Sequence, residues 1–218
     1  MVAENREERH INRRWKYFYA LTFTIKMSKM SGCQLPGYFE YVVPPLEGLW
    51  WSREGRMDLT AQKSSWLWTS MIRQPDFATE EVFLWAVEEY RKKKPEMNVS
   101  SARFLCFHEG LCVQMMYIGS YGAEGDSLER IEDFIAENGL ISMAGSLRKY
   151  HEIYLSDPRR TAMEKLKTVL RLPVKKDVKK AVWNEVPHRF LYYSRSLMEL
   201  SRPPFWMIFW MKGGKGSA

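Results

Sequence analysis

Most of the residue spacings that announce a particular chemistry are missing from this sequence. Only three cysteines, Cys33, Cys106 and Cys112, occur in 218 residues. They form no CxxC pair and are too scattered for a disulfide framework, so a reducing compartment is expected. The four histidines, His10, His108, His151 and His188, show no HxH or HExxH spacing, and the cysteines complete no ligand set, so no metal site is expected. No GxxxxGK[ST], GxGxxG or GxSxG occurs, which removes the commonest nucleotide and serine-hydrolase signals and leaves no cofactor to expect. No apolar run approaches the roughly 20 residues that span a bilayer. The opening MVAENREERHINRR is charged and unlike a secretory signal, and a cytoplasmic protein without a transmembrane segment is the expectation.

An excess of one charge is present, but only locally. The net charge is +7, and the segment from Val174 to Ala218 carries 9 Lys/Arg against 3 Asp/Glu, a net of +6. The remaining 24 basic and 23 acidic residues leave the body at +1, so basicity belongs to the tail and nucleic-acid binding is not a clear expectation for the whole chain. No helix-turn-helix pattern precedes the body. An apolar fraction of 45% is enough for a packed core.

Periodicity divides the chain into elements. The first thirty residues read as helix. PGYFEYVVPPLEGLWW (36–51) and SSWLWTSMIRQP (64–75) read as two strands of a hairpin, the first with Pro44-Pro45 as a bulge or edge feature, the second with Trp66, Trp68, Ser70 and Ile72 on one face. Thr79 with Glu80 and Glu81 starts a helix that ends near Pro95. An extended segment, broken at Glu109-Gly110, covers 102–121. The next helix is capped by Asp126 or Ser127, shows Leu128, Ile131, Phe134 and Ile135 on one face, and stops at Asn138-Gly139. HEIYLSD and LKTVLRLPV are read as the last two strands. The order is a βαββ unit twice, the first copy without its opening strand: an α+β fold with antiparallel sheets.

Within YHEIYLSD, alternation puts Tyr150, Glu152 and Tyr154 on one face and His151, Ile153 and Leu155 on the other. Two phenols flanking one carboxylate is more than a solvent face requires. Alternation also separates Trp50 from Trp51, so at least one of them leaves the core face. Glu47 and Glu109 each adjoin a glycine at a strand irregularity; Glu47 is kept as a weak second carboxylate for a site, and Glu109 is given a structural role.

IKMSKMSGCQLPGYFEYVVPPLEGLWW, WTSMIRQPDFATEEVF, HEGLCVQMMYIGSY and HEIYLSDPRRTAMEKLKTVLR resemble the GyrI-like small-molecule-binding superfamily. EGLCVQ with the downstream E-x-Y-L-x-D-P is similar to the standalone branch related to cyclopropanoid cyclopropyl hydrolases. The resemblance implies a pseudo-twofold pair of βαββ modules with an aromatic-lined pocket between them. It divides the chain into a divergent charged N-terminus (1–14), a small-molecule-binding domain (15–174) and a basic aromatic extension (175–218). Glu152 matches the acid of the E-x-Y-L motif at the pocket floor, and in the hydrolase branch such a glutamate directs water at a strained ring. Trp68 matches the W-T-x-M-I-R-Q-P motif, and Tyr121, Tyr154 and Trp50 are the further candidate walls.

The implied partner is a hydrophobic or cationic aromatic small molecule, since rings present negative faces and the acid a full charge. Two readings stand: hydrolysis of cyclopropane-bearing genotoxins with Glu152 as catalytic residue, or a non-enzymatic drug-binding or sensor module that sequesters compounds or acts through a partner protein. The tail, with its interleaved basic and aromatic residues, carries three expectations: a single-stranded nucleic-acid surface, a membrane surface, or an extension that is loose or folds back as a helix over the open first module.

Overall fold

The computed structural model describes residues 19–52, 57–59, 66–96 and 99–177, together with the backbone of a strand at 205–209. In chain order the elements are α1 (19–26), β1 (Leu46–Trp51), β2 (Leu67–Arg73), α2 (Glu80–Lys93), β3 (Leu105–Cys106), β4 (Cys112–Ile118), α3 (Gly125–Glu137), β5 (Leu140–Ser142), β6 (Tyr150–Tyr154), β7 (Lys167–Lys176) and β8 (Phe205–Phe209). They group into two compact units. The first gathers 19–44, 70–107 and the strand 205–209; the second gathers 45–69 and 108–177. β2 passes from one to the other at Thr69-Ser70.

In the first unit the apolar stripe of α2, Val82, Phe83, Ala86, Val87 and Tyr90, is buried. Its start follows from Thr79, whose side-chain oxygen accepts from the Val82 amide at 3.4 Å, with Glu80 and Glu81 in the first turn and Arg91, Lys92 and Lys93 in the last. Leu21 and Ile25 of α1 and Met71 and Ile72 of β2 are fully buried. Gln74 ties α1 to the end of β2: its buried amide Nε2 donates to Thr22 Oγ1 at 3.1 Å and to the Ile72 carbonyl at 3.2 Å. The stretch 36–45, expected as strand, is not one; regular pairing begins at Leu46. Pro36, Pro44 and Pro45 lack the N–H a ladder needs, and the rings of Tyr38, Phe39 and Tyr41 pack around Phe77 at 5.2–5.8 Å instead.

The second unit is an antiparallel sheet in the order β1-β6-β7-β4, with Leu67–Thr69 of β2 beside β1 and β5 on the far end of β7. α3 buries Leu128, Ile131 and Ile135 against Val113, Tyr150, Leu170 and Leu172 of one sheet face. Neither Asp126 nor Ser127 caps α3. Its N-cap is Glu124, which makes no side-chain bond to the helix end; its carboxylate accepts from the Gly122 amide at 3.0 Å and so closes the preceding turn. The stop is where expected, Asn138 followed by Gly139 at φ 60°. The short β5 that follows, missed in the periodicity, pairs its three residues with Val174–Lys176. HEIYLSD and LKTVLRLPV are strands as expected, yet they are not the last: β8 follows in the tail, where a helix was one expectation.

Candidate functional site

Cross-strand register explains which side chains meet on β6. Gly48 of β1 lies opposite Glu152 and Trp50 opposite Tyr150, while Leu49 lies opposite His151. On β7, Leu170 is the partner of Glu152 and Arg171 that of His151. One face therefore collects Gly48, Trp50, Tyr150, Glu152 and Tyr154, and the other collects Glu47, Leu49, His151 and Arg171.

On the first face Glu152 is 1% exposed. Tyr150 Oη donates to its Oε1 at 2.8 Å, and Tyr154 Oη donates to its Oε2 at 2.8 Å. Burial of a lone carboxylate costs several kcal/mol, and about 1.5–3 kcal/mol per hydrogen bond to a charged group offsets part of it. Burial and the neighbouring carboxylate push both phenols well above the ordinary tyrosine range, so both keep the protons they donate. The Trp50 indole N–H works the other way on Tyr154, favouring negative charge on its oxygen. Rings continue outward. Tyr121 lies edge-on to Tyr154 at 5.5 Å; Trp66 stands 6.1 Å from Tyr150 and 6.2 Å from Trp50; Trp68 lies 6.2 Å from Trp50. Gly48 makes the packing possible. A Cβ there would stand 2.8 Å from Tyr154 Oη and 2.9 Å from Trp50 Nε1.

The opposite face holds a second buried charge cluster. His151 Nε2 is 2.7 Å from Glu47 Oε2 and its Nδ1 is 2.8 Å from Glu109 Oε1, with the imidazole fully buried. Glu109 Oε2 accepts from Arg171 Nη1 at 2.5 Å, and Arg171 Nε donates to Gln114 Oε1 at 3.0 Å. Burial opposes charge on His151, but the two carboxylates outweigh it and raise its pKa. With a carboxylate at each nitrogen, the doubly protonated ring is the form that donates twice. Burial likewise opposes charge on Glu109, yet His151 and Arg171 hold its pKa below the usual glutamate value.

Arg148 closes the end of this cluster. It donates to the carbonyls of Val174 at 2.8 Å, Glu109 at 2.6 Å and Leu111 at 2.7 Å. Gly110, at φ 74°, turns the chain there. The stretch EGLCVQ thus supplies a clamp: Glu109 and Gln114 both grip Arg171. In SDP the acid serves a turn, since Asp157 accepts from the Arg159 amide at 3.0 Å and from its guanidinium, which lowers the Asp157 pKa to about 2.

Of the candidate residues, Trp50, Trp68, Tyr121 and Tyr154 gather with Glu152 in one chain of rings, joined by Tyr150 and Trp66. Glu47 does not join them; it lies across the sheet, bonded to His151. The His151 cluster was hidden in the sequence because its acids come from residues 47 and 109, far from 151. The odd-numbered face of YHEIYLSD was its only trace. Among the described residues no helix is long and apolar enough to cross a membrane, and no group of three or more His, Cys, Asp or Glu could hold a metal ion. A cavity of about 390 Å³ lies elsewhere, in the first unit, lined by Phe23, Met27, Met30, Tyr90, Lys93 and Lys94. It contains no acid, and the charge chemistry described above is in the second unit.

Helices packed on antiparallel sheet make this an α+β fold. The chain belongs to the GyrI-like family: the model of the GyrI-like small molecule binding domain matches residues 2–175. Three crystal structures from Listeria innocua are similar to it. An uncharacterized conserved protein shares 49% identity at a TM-score of 0.70, covering 76% of this chain and 80% of that one. A protein described as a hydrolase shares 49% identity at a TM-score of 0.64, covering 72% and 75%. A second chain described as a hydrolase shares 51% identity at 0.64, covering 72% and 76%. No curated protein gives a significant match.

Proposed function

We propose that this protein binds hydrophobic or cationic aromatic small molecules against the rings around Glu152, and that it hydrolyses cyclopropane-bearing compounds among them. One observation carries the reading: a carboxylate 1% exposed, held at both oxygens by phenols and bordered by three indoles and a further tyrosine. Such a group offers a cation full charge inside walls that supply stacking area. The family is one of small-molecule binders, and two relatives about half identical to this chain are described as hydrolases.

In the hydrolytic reading Glu152 takes a proton from a water as its oxygen bonds to a ring carbon. The strained C–C bond breaks, and its electron pair passes to the electron-withdrawing group conjugated with the ring, which acquires a proton. Tyr150 and Tyr154 hold the carboxylate in one orientation for that attack. The same two phenols favour a second reading, in which Glu152 acts only as counter-charge to a sequestered cation and no bond is made.

Tryptophan fluorescence titration with a cyclopropane-bearing aromatic genotoxin, following the compound by mass spectrometry, tests both. Water addition by the wild type and not by Glu152→Gln supports hydrolysis. Quenching with the compound unchanged leaves binding alone. Equal turnover in both proteins removes Glu152 from the chemistry, and absence of any quenching sinks the binding reading.

A further inference from the structure

We propose that Thr168 is a ligand-binding residue of the Glu152 site, its hydroxyl donating a hydrogen bond to a carbonyl oxygen of the bound compound. The inference rests on the binding reading above and narrows it to aromatic ligands that carry a carbonyl group. On β7 the residues Thr168, Leu170, Leu172 and Val174 alternate onto one face, and each is at most 1% exposed. Leu170, Leu172 and Val174 belong to the core that includes Tyr150, and Thr168 brings a hydroxyl to the same face. Its neighbours across the ladder are Tyr154 of β6 and Tyr117 of β4, and Glu152 is its diagonal neighbour. Diagonal pairs stand roughly 7–8 Å apart.

Thr168 Oγ1 is buried and makes no hydrogen bond with any described residue. Both flanking phenols direct their protons elsewhere: Tyr154 Oη donates to Glu152 at 2.8 Å and Tyr117 Oη to the Ser120 carbonyl at 2.9 Å. A buried hydroxyl without a partner costs stability at a position where valine has nearly the same shape. A partner that arrives with a ligand accounts for the threonine. Tyr117, Tyr121 and Tyr154 are each half-buried, so a compound laid on those rings comes up beside the hydroxyl between Tyr117 and Tyr154.

The charge character of this face decides which ligand atom that partner is. A carboxylate and ring faces attract a cation and repel a carbonyl oxygen. A hydroxyl that can turn its proton toward the ligand supplies what such an oxygen needs. One benzene ring between an ammonium group and a carbonyl spans the separation of Glu152 from Thr168. In the hydrolytic reading the carbonyl oxygen receives the electron pair of the broken C–C bond. Thr168 then stabilises that oxygen without giving up its own proton, and the proton that ends on the product is the one Glu152 took from water.

Equilibrium dialysis of the full-length protein compares two amines of one shape, para-aminomethylphenyl cyclopropyl ketone and its methylene analogue, para-(cyclopropylmethyl)benzylamine. The wild type is expected to hold the ketone about three- to tenfold more tightly. Thr168→Val should lose that preference, keep its affinity for the methylene analogue and melt no lower than the wild type, whereas Thr168→Ser should keep the preference. No preference in the wild type, a preference that survives in Thr168→Val, or an equal loss of both amines in that variant would overturn the proposal. A lower melting temperature for Thr168→Val would do the same, because the hydroxyl would then be partnered in the free protein. Failure of the underlying reading looks different: the wild type takes up neither amine, and Thr168 falls with Glu152 as a ligand contact.

Discussion

His151 and Glu152 are consecutive residues, both buried, and they face opposite sides of one sheet. His151 reaches Glu47 and Glu109 on one side, while Glu152 is bonded by Tyr150 and Tyr154 on the other. Five residues of β6 therefore anchor two separate charge clusters, and each can be disturbed without touching the other.

Tyr154→Phe removes one hydrogen bond to the buried Glu152 and leaves the ring. A loss of about 1.5–3 kcal/mol in urea unfolding is expected. Tyr150→Phe should cost about the same, and their double variant more than the sum, because Glu152 then keeps neither phenol. A double variant as stable as the wild type would mean that the phenols contribute nothing to holding the carboxylate.

Gly48→Ala places a Cβ 2.8 Å from Tyr154 Oη and 2.9 Å from Trp50 Nε1. Tyr154 cannot yield freely while it donates to Glu152. Destabilisation of about 1–3 kcal/mol is expected. Combining it with Tyr154→Phe should recover part of that loss, since the phenol oxygen is the nearest atom. A fully additive pair would place the strain elsewhere.

The His151 cluster makes stability fall at both ends of the pH scale. The raised pKa of His151 contributes stability that is complete below its ordinary value of 6.5 and is lost as pH rises through the folded value. The lowered pKa of Glu109 contributes stability present above its ordinary 4.5 and lost as pH falls through the folded value. Melting temperature measured from pH 4 to 9 should decline on both sides. His151→Leu should flatten the alkaline limb, and an unchanged alkaline slope in that variant would assign it to another group.

Arg148→Met deletes donors to three backbone carbonyls while keeping much of the side chain's bulk. A loss of at least about 3 kcal/mol is expected, because unsatisfied buried acceptors cost roughly 1–3 kcal/mol each. Chemical denaturation measures it, and a change under about 0.5 kcal/mol, typical of an ordinary surface site, would show that water replaces the guanidinium.

Cys112 should be the inert thiol of the chain. Burial, then the Glu109 charge, push its pKa up to about 12, whereas Cys106 is exposed. Iodoacetamide at mildly alkaline pH should label Cys106 many times faster than Cys112, by peptide mapping. Equal rates would mean that the 105–118 segment opens readily.

Alternation alone was enough to separate Glu152 with its two tyrosines from His151, because a strand side chain has only two directions to take. Helix starts and stops were legible at Thr79 and Asn138-Gly139, where the signal is carried by residues within one turn of each other. The family signature could be read in EGLCVQ and E-x-Y-L, since both are contiguous. Other features rest on contacts between residues distant in sequence, and no local pattern encodes them. Glu47 crosses to the face of His151 because the β1–β6 register sets Gly48, not Glu47, opposite Glu152. Glu109 becomes a charge partner because Arg171 and His151 share a cross-strand position. The tail strand was invisible to charge counting, since β8 is defined by its pairing with residues 70–73 of β2 and with β3, both far from it in sequence.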